Sequence, residues 1–393
     1  MSTLFHGGRK LDADGIVDDF WMLIDGDTIA STGTGTPPET LPGAADAQRI
    51  DLAGDWVAPG FVDLHVHGGG GFAFEGSPDD IIAARTTHRA HGTTRSLVSL
   101  VANPVDSLTA SLDRVAELVA ADPTVIGSHL EGPFLSPGRR GAHHAGYLLE
   151  PTPRVVAELI SAARGTLRYV TIAPELLGAL DAIEQFRASG VVVGVGHSEA
   201  SFDLTREAFD RGATVLTHAF NAMPGIHHRE PGPVVAALKN PAVALELVLD
   251  GVHVHPDVVA MAFRAAPGRV ALITDAMAAA GAGDGRYRLG ALEIEVADGT
   301  ARVVGTGTGT GTGTIAGSTL TQDHALRMAI DRVGLSPRDA VTALTLTPAR
   351  VLGLDDQLGR LAPGYAADAV RLSADWQVRG VWSAGARVNP ASS

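Results

Sequence analysis

The sequence contains no cysteine, which excludes disulfides, thiolate metal ligands and a cysteine nucleophile. A chain of this kind suits a reducing compartment, and a cytoplasmic location is expected. Lysine is nearly absent as well: Lys10 and Lys239 are the only two among 30 basic residues. Neither closes one of the apolar runs described below, so no lysine can join a site built at their ends. Positive charge is also short, with 30 basic against 44 acidic side chains and a net charge of −14. Nucleic-acid binders usually present a basic face, so no nucleic-acid partner is expected. A small phosphorylated ligand is compatible with this balance, because a few local cations and backbone N–H groups suffice to hold it. No run of about 18 uncharged apolar residues occurs, and the N-terminus lacks a basic-then-apolar pattern. A soluble, unsecreted protein with no membrane partner is expected.

What is present is enough apolar material, 45% of 393 residues, for one large barrel and a smaller companion. Residues 1–55 are β-rich and punctuated by glycine, as in Trp21–Asp25 followed by Gly26 and Asp27. The segment 360–393 reads similarly, with Gln377–Trp382 and a turn at Ser383–Gly385. These two terminal segments are expected to pair into a small β-sandwich domain. Residues 56–359 have another rhythm. Eight short apolar, β-branched runs recur: Trp56–His67, Thr94–Val101, Thr124–Glu131, Leu167–Glu175, Val191–His197, Ala213–His218, Ala242–Asp250 and Arg269–Asp275. Stretches with helical spacing, such as Asp106–Ala121 and Pro153–Arg164, lie between them. Strands alternating with helices predict parallel β/α units. Eight of them predict an α/β fold of the closed (β/α)8 TIM-type barrel class, with an open doubly wound sheet as the alternative. Five Gly-Thr pairs from Gly305 to Thr314 interrupt the order. Glycine is entropically costly in regular structure, so a loop is expected there, without a catalytic role.

The polar residues mark the ends of the runs. At six of the eight ends stand the histidines and carboxylates that could bind metal or move protons: His65 and His67, Glu131, His197, His218, Asp250 with His253 close behind, and Asp275. Residues two apart on a strand share a face, so His65 and His67 point the same way. Barrel enzymes carry their chemistry at the C-terminal ends of the strands. Imidazole and carboxylate together suit a divalent ion, Zn above all, with Fe, Mn or Co as alternatives. His88 and His91 are read as helix-surface residues.

The motif Ala58–His67 resembles the first-strand signature of the amidohydrolase superfamily. His129–Phe134 with Gly141–His143, His218–Pro224 with Arg229–Gly232, Asp250–His253 and Ala316–Leu320 are similar to the N-acetylglucosamine-6-phosphate deacetylase family within it. The closing segment Thr347–Leu354, then Gly359, Pro363-Gly364 and Ala367-Asp368, resembles that of the superfamily. Many amidohydrolases bridge two metals with a carbamylated lysine. No lysine is available for that here, and Glu131 takes the place. The resemblance implies that Glu131, His197 and His218 bind the principal metal, with a second ion near His65 and His67, hence one or two per subunit. It implies that Asp275 is the general acid/base. It places Ala142, His143, Asn221, Ala222, Arg229, Asp250, His253, Ala316 and Gly317 against the substrate, a phosphorylated amino sugar. The implied reaction is hydrolysis of the acetamide by a metal-activated water in amino-sugar catabolism or cell-wall recycling. The implied assembly is a homodimer in which the Arg229 loop reaches a neighbouring active site. The alternatives are the same chemistry on N-acetylgalactosamine 6-phosphate, or on another linear or cyclic amide.

Overall fold

The eight apolar runs become neighbouring strands of one sheet, in chain order: Phe61–Asp63, Thr93–Val101, Val125–Glu131, Leu167–Ile172, Val192–Val195, Val215–Leu216, Ala244–Val248 and Val270–Ile273. This is a computed structural model, and it describes residues 2–306 and 313–388. From the second strand to the eighth, neighbours pair in parallel. The last strand returns to the first histidine pair. Asp275 N–H donates to the His65 carbonyl at 2.8 Å, and His67 N–H donates to the Ala276 carbonyl at 2.7 Å. That contact closes the (β/α)8 barrel expected from the sequence. Its strands read as unbroken apolar runs because both faces of a parallel barrel sheet are covered; all four residues of Val270–Ile273 are buried.

The crossovers are helices for local reasons. Val105–Ala121 buries Leu108, Leu112 and Val115 at the three- and four-residue spacing of one helix face. Pro153–Ala162 starts with a proline in its first turn, and the Thr152 side chain accepts from Val155 N–H at 3.4 Å.

One run departs from the reading as a single strand. Trp56–His67 divides at Gly60: Trp56–Pro59 pairs antiparallel with Ala369–Leu372, while Phe61–Asp63 enters the barrel. A side chain at Gly60 would collide with Thr94, so only glycine lets the chain pass there. A second departure is His88, which is buried at 2% exposure rather than lying on the helix surface. A third is a three-stranded antiparallel sheet after the eighth strand: Gly285–Leu289, Leu292–Ala297 and Thr300–Val303. Its inward residues Leu289, Ile294 and Val296 share an apolar cluster with Met277 and Ala316. Of the Gly-Thr tract, residues 307–312 lie outside the described residues. At its edges Thr314 N–H donates to Thr306 Oγ1 at 2.9 Å.

The described chain forms two compact units, Met1–Asp63 with His88–Arg95 and Gln322–Ser393, and Leu64–Thr87 with Ser96–Thr321. In the first, both chain ends build one eight-stranded mixed sheet. Its order is Ala386–Arg387, Val378–Ser383, Ala369–Leu372, Trp56–Pro59, Thr3–Asp12, Gly15–Asp25 and Thr28–Thr34, with Gln48–Asp51 also beside Thr3–Asp12. Phe5 meets Trp382 edge-to-face at 4.7 Å in its core. Among the described residues, no helix is long and apolar enough to cross a membrane.

A buried ion pair ties this unit together. Arg95 donates to both oxygens of Asp368, at 2.5 and 3.2 Å, and Asp368 also accepts from Ala384 N–H at 2.7 Å. Removing one member of such a pair typically costs about 3–5 kcal/mol. Asp368→Ala is therefore expected to lower the urea midpoint by a corresponding amount. A loss below about 1 kcal/mol, the range of solvent-screened surface pairs, would contradict a buried role.

Candidate active site and metal centre

The five expected metal ligands and the expected acid/base Asp275 all lie in the second unit and converge at the C-terminal ends of the strands. Glu131, His197 and His218 form one group of potential metal donors, and His65, His67 and Asp275 form another; all six are buried. In the first group, His197 Nε2 and His218 Nε2 stand 3.0 and 3.1 Å from Glu131 Oε1, and 2.9 Å from each other. In the second, His65 Nε2 and His67 Nε2 are 3.0 Å apart, and Asp275 Oδ1 is 3.3 Å from His67 Nε2. Glu131 joins the two groups: Oε1 is 3.3 Å from His65 Nε2, and Oε2 is 3.2 Å from His67 Nε2.

The backbone is bent to achieve this. His197, His218 and Asp275 have φ of 47°, 28° and 48°, and Ala222 has 51°. Left-handed conformations cost non-glycine residues about 1–3 kcal/mol each and collect at functional sites. Each of the three donors turns out of its strand immediately after the ladder ends.

The electrostatics follow from burial and proximity. Burial works against a charge on His65 and His67, but the carboxylates of Glu131 and Asp275 outweigh it. His65 is raised well above the ordinary imidazole range, and His67 to about 9. Burial likewise opposes ionisation of Asp275, yet His65 and His67 hold its carboxyl at about 2. Glu131 is kept far below its ordinary value against its own burial by His65 and His143. His143 is pushed down to about 4 by burial, which the attraction of Glu131 only partly offsets.

The donor chemistry fits a divalent ion. His197 Nδ1–H donates to the Arg139 carbonyl at 2.8 Å, so its Nε2 offers a lone pair toward Glu131 and His218. A second hydrogen bond that fixes the tautomer in this way is the usual support of a metal-bound histidine. Imidazole nitrogens and carboxylate oxygens are the donors that Zn²⁺ and its neighbours take.

A cavity of about 410 Å³ opens over these groups. Of the residues expected against substrate, Ala142, His143, Asn221, Ala222, His253 and Gly317 line it. Asp250 stands behind His253: its Oδ2 is 2.7 Å from His253 Nδ1, and its Oδ1 accepts from the backbone N–H groups of Val252 and His253. Burial lowers the His253 pKa, but the Asp250 carboxylate outweighs this and raises it overall. Ala316 is fully buried in the apolar cluster beneath. Arg229 does not line the cavity. It is exposed, with Nη1 2.8 Å from His228 Nε2. Residues not singled out from the sequence also line it, Arg139, Arg140, Leu289 and Ile315, as does Thr314, the last residue of the Gly-Thr tract. The arginines could have been found, since they directly precede Gly141–His143.

Glu131→Gln, His197→Ala and His218→Ala are each expected to lose bound metal on dialysis, as measured by elemental analysis. Full occupancy in all three would place the ion elsewhere.

The amidohydrolase family model matches residues 56–388. The N-acetylgalactosamine-6-phosphate deacetylase of Escherichia coli O157:H7 is 37% identical over 98% of this chain and 99% of its own length. The N-acetylglucosamine-6-phosphate deacetylase of Vibrio furnissii is 33% identical over 91% of this chain and 89% of its own. Among solved structures, a mutant N-acetyl-D-glucosamine-6-phosphate deacetylase from Mycobacterium smegmatis, in complex with N-acetyl-D-glucosamine-6-phosphate, superposes with a TM-score of 0.91. It is 43% identical and covers 98% of this chain and 99% of that one. With relatives matched end to end and the family model spanning the barrel, this chain belongs to the amidohydrolase family.

Proposed function

We propose that this amidohydrolase removes the acetyl group of N-acetylglucosamine 6-phosphate, giving glucosamine 6-phosphate and acetate. The observation that carries the reading is the 43% identical structure solved with that sugar phosphate, which matches this chain over almost its whole length. The layout of the cavity agrees with it. Its lining includes metal donors together with His253, Asn221 and Ala222, and to the last three we assign the phosphate.

An amide resists hydrolysis because water is a poor nucleophile and an amine a poor leaving group. A divalent ion at Glu131, His197 and His218, with a second near His65 and His67, would supply a Lewis acid and bring the pKa of its water to about 7. We favour zinc on the donor set. Asp275 lines the cavity as a carboxylate. It accepts the proton of the attacking water and delivers it to the sugar nitrogen as the C–N bond breaks. His143 Nδ1 accepts from Ala102 N–H at 3.2 Å, which leaves the ring proton on Nε2, 3.3 Å from Glu131 Oε2; we assign this imidazole to the support of Glu131 beside the sugar. Arg229, exposed on its loop, serves the phosphate of a neighbouring subunit in a homodimer. The sequence boundaries are 56–359 for the barrel and 1–55 with 360–393 for the small β domain; we assign the catalytic centre to the unit Leu64–Thr87 with Ser96–Thr321, count Trp56–Pro59 with the terminal sheet, and assign the enzyme to the cytoplasm.

A second reading has its own support. The 37% identical relative from Escherichia coli O157:H7 bears the name of a galactosamine enzyme, so the 4-hydroxyl epimer is the natural competitor. Acetate release from N-acetylglucosamine and N-acetylgalactosamine, each with and without the 6-phosphate, decides between them. The gluco phosphate is expected to have the highest kcat/KM, and Asp275→Asn is expected to lower its kcat by about 10²–10⁴-fold. A preference for the galacto phosphate would replace the substrate, and activity independent of phosphate would remove both.

The Asp250–His253 pair predicts a pH dependence. Asp250 raises the His253 pKa, so the imidazolium persists to higher pH than usual and is lost as pH rises through that value. KM for the phosphorylated sugar should then rise at alkaline pH. In Asp250→Asn the rise should begin at lower pH, while KM for the unphosphorylated sugar stays flat. Identical profiles in the two enzymes would exclude His253 as a phosphate cation.

A further inference from the structure

Glu246 is a charged residue in the middle of an apolar strand. It lies in Ala244–Val248 between Leu245 and Leu247, and all three side chains are fully buried. A carboxylate in such a place costs several kcal/mol unless its neighbours compensate it. Its two side-chain contacts lead to the metal centre. Oε2 is 3.5 Å from His65 Nδ1 and accepts from the His218 backbone N–H at 3.4 Å. Its own carbonyl accepts from Ala219 N–H at 2.8 Å. Glu246 thus holds the chain on both sides of the His218 amide and faces the far side of the His65 ring. The opposite ring nitrogen, His65 Nε2, meets His67 Nε2 and Glu131 Oε1 at 3.0 and 3.3 Å.

We infer that Glu246 is a positioning residue for the His65 side of the centre: its carboxylate takes the Nδ1–H of His65 and leaves Nε2 to an ion. This rests on the reading of His65 and His67 as metal ligands. A carboxylate behind an imidazole fixes the ring plane and the tautomer, and it makes the coordinating nitrogen more basic. Here it does so from a fully buried position on the seventh barrel strand. Glu246 needs no contact with substrate for this role, and it does not line the cavity.

The test is Co²⁺ binding to the full-length protein, read by stoichiometry and by competition with a chelator. The proteins compared are wild type, Glu246→Gln, Glu246→Asp and His65→Ala. Wild type should bind two ions, and His65→Ala should lose one. Glu246→Gln keeps the volume without the charge and should weaken that same ion by about 10–100-fold while sparing the other. Glu246→Asp should recover part of the loss. Should Glu246→Gln not fold, the ¹⁵N shifts of His65 in Zn²⁺-loaded wild type serve instead: Nδ1 should carry the proton and Nε2 should be the ligand, and the reverse would overturn the inference. If His65→Ala loses an ion that Glu246→Gln retains at full affinity, the assignment of Glu246 falls and the second ion stands. If wild type holds one ion and His65→Ala keeps it, the second ion falls and Glu246 with it.

Discussion

One carboxylate organises the centre. Glu131 stands within 3.3 Å of five imidazoles: Oε1 faces His65, His197 and His218, while Oε2 faces His67 and His143. Buried alone, this charge would be prohibitive. Surrounded in this way, it stays ionised and orients every ring around it. Only a closed barrel makes such convergence simple, because parallel strands bring all their C-terminal ends to one rim. Residues from 65 to 275 can then meet although the chain between them is spent on helices.

Beneath that ring of donors the barrel is polar rather than purely apolar. Ser99 Oγ accepts from Val66 N–H, between the two first-strand histidines, and pairs with His129 Nδ1 at 2.9 Å. His129 bonds Thr171 through Nε2 and stacks on Tyr169, whose hydroxyl meets Thr217 at 2.6 Å. Gly194 lies where any side chain would strike Tyr169 and Thr217. Burial, with the charge of His65 beside it, keeps His129 neutral. This layer holds the ladder rigid directly below the left-handed turns at His197 and His218, and such support is what allows strained backbone to persist.

Much of this was legible in the sequence, for identifiable reasons. Buried parallel strands are continuous apolar runs, so the eight could be located, and His65, His67, Glu131, His197, His218 and Asp275 at or just beyond their ends converge. The pattern could not say which sheet a run joins, so the division at Gly60 was hidden. The sheet at 285–303 was missed because its three strands follow no β/α alternation. His88 looked like a surface residue because a mixed helix such as Pro78–Ala90 does not reveal which face its neighbours cover. Glu246 was absorbed into an apolar run. Arg229 lies on an exposed loop outside the cavity of its own chain, as expected of a side chain meant to reach a neighbouring subunit.

The sheet assembled from both chain ends bears on how the protein is made. Arg371 donates to Asp55 at 2.6 Å across 316 residues of chain, and Trp56–Pro59 has Ala369–Leu372 as a strand partner. A ribosome adding about 5–20 residues per second needs roughly 15–60 s to emit the missing partner. Throughout that interval one edge of Trp56–Pro59 waits unpaired, open to any passing strand. The barrel strands each meet their next neighbour within one β/α unit. Synthesis therefore favours an order in which the barrel condenses first and the sheet of the two termini is sealed last, so a truncation near the C-terminus would expose a segment translated at the start.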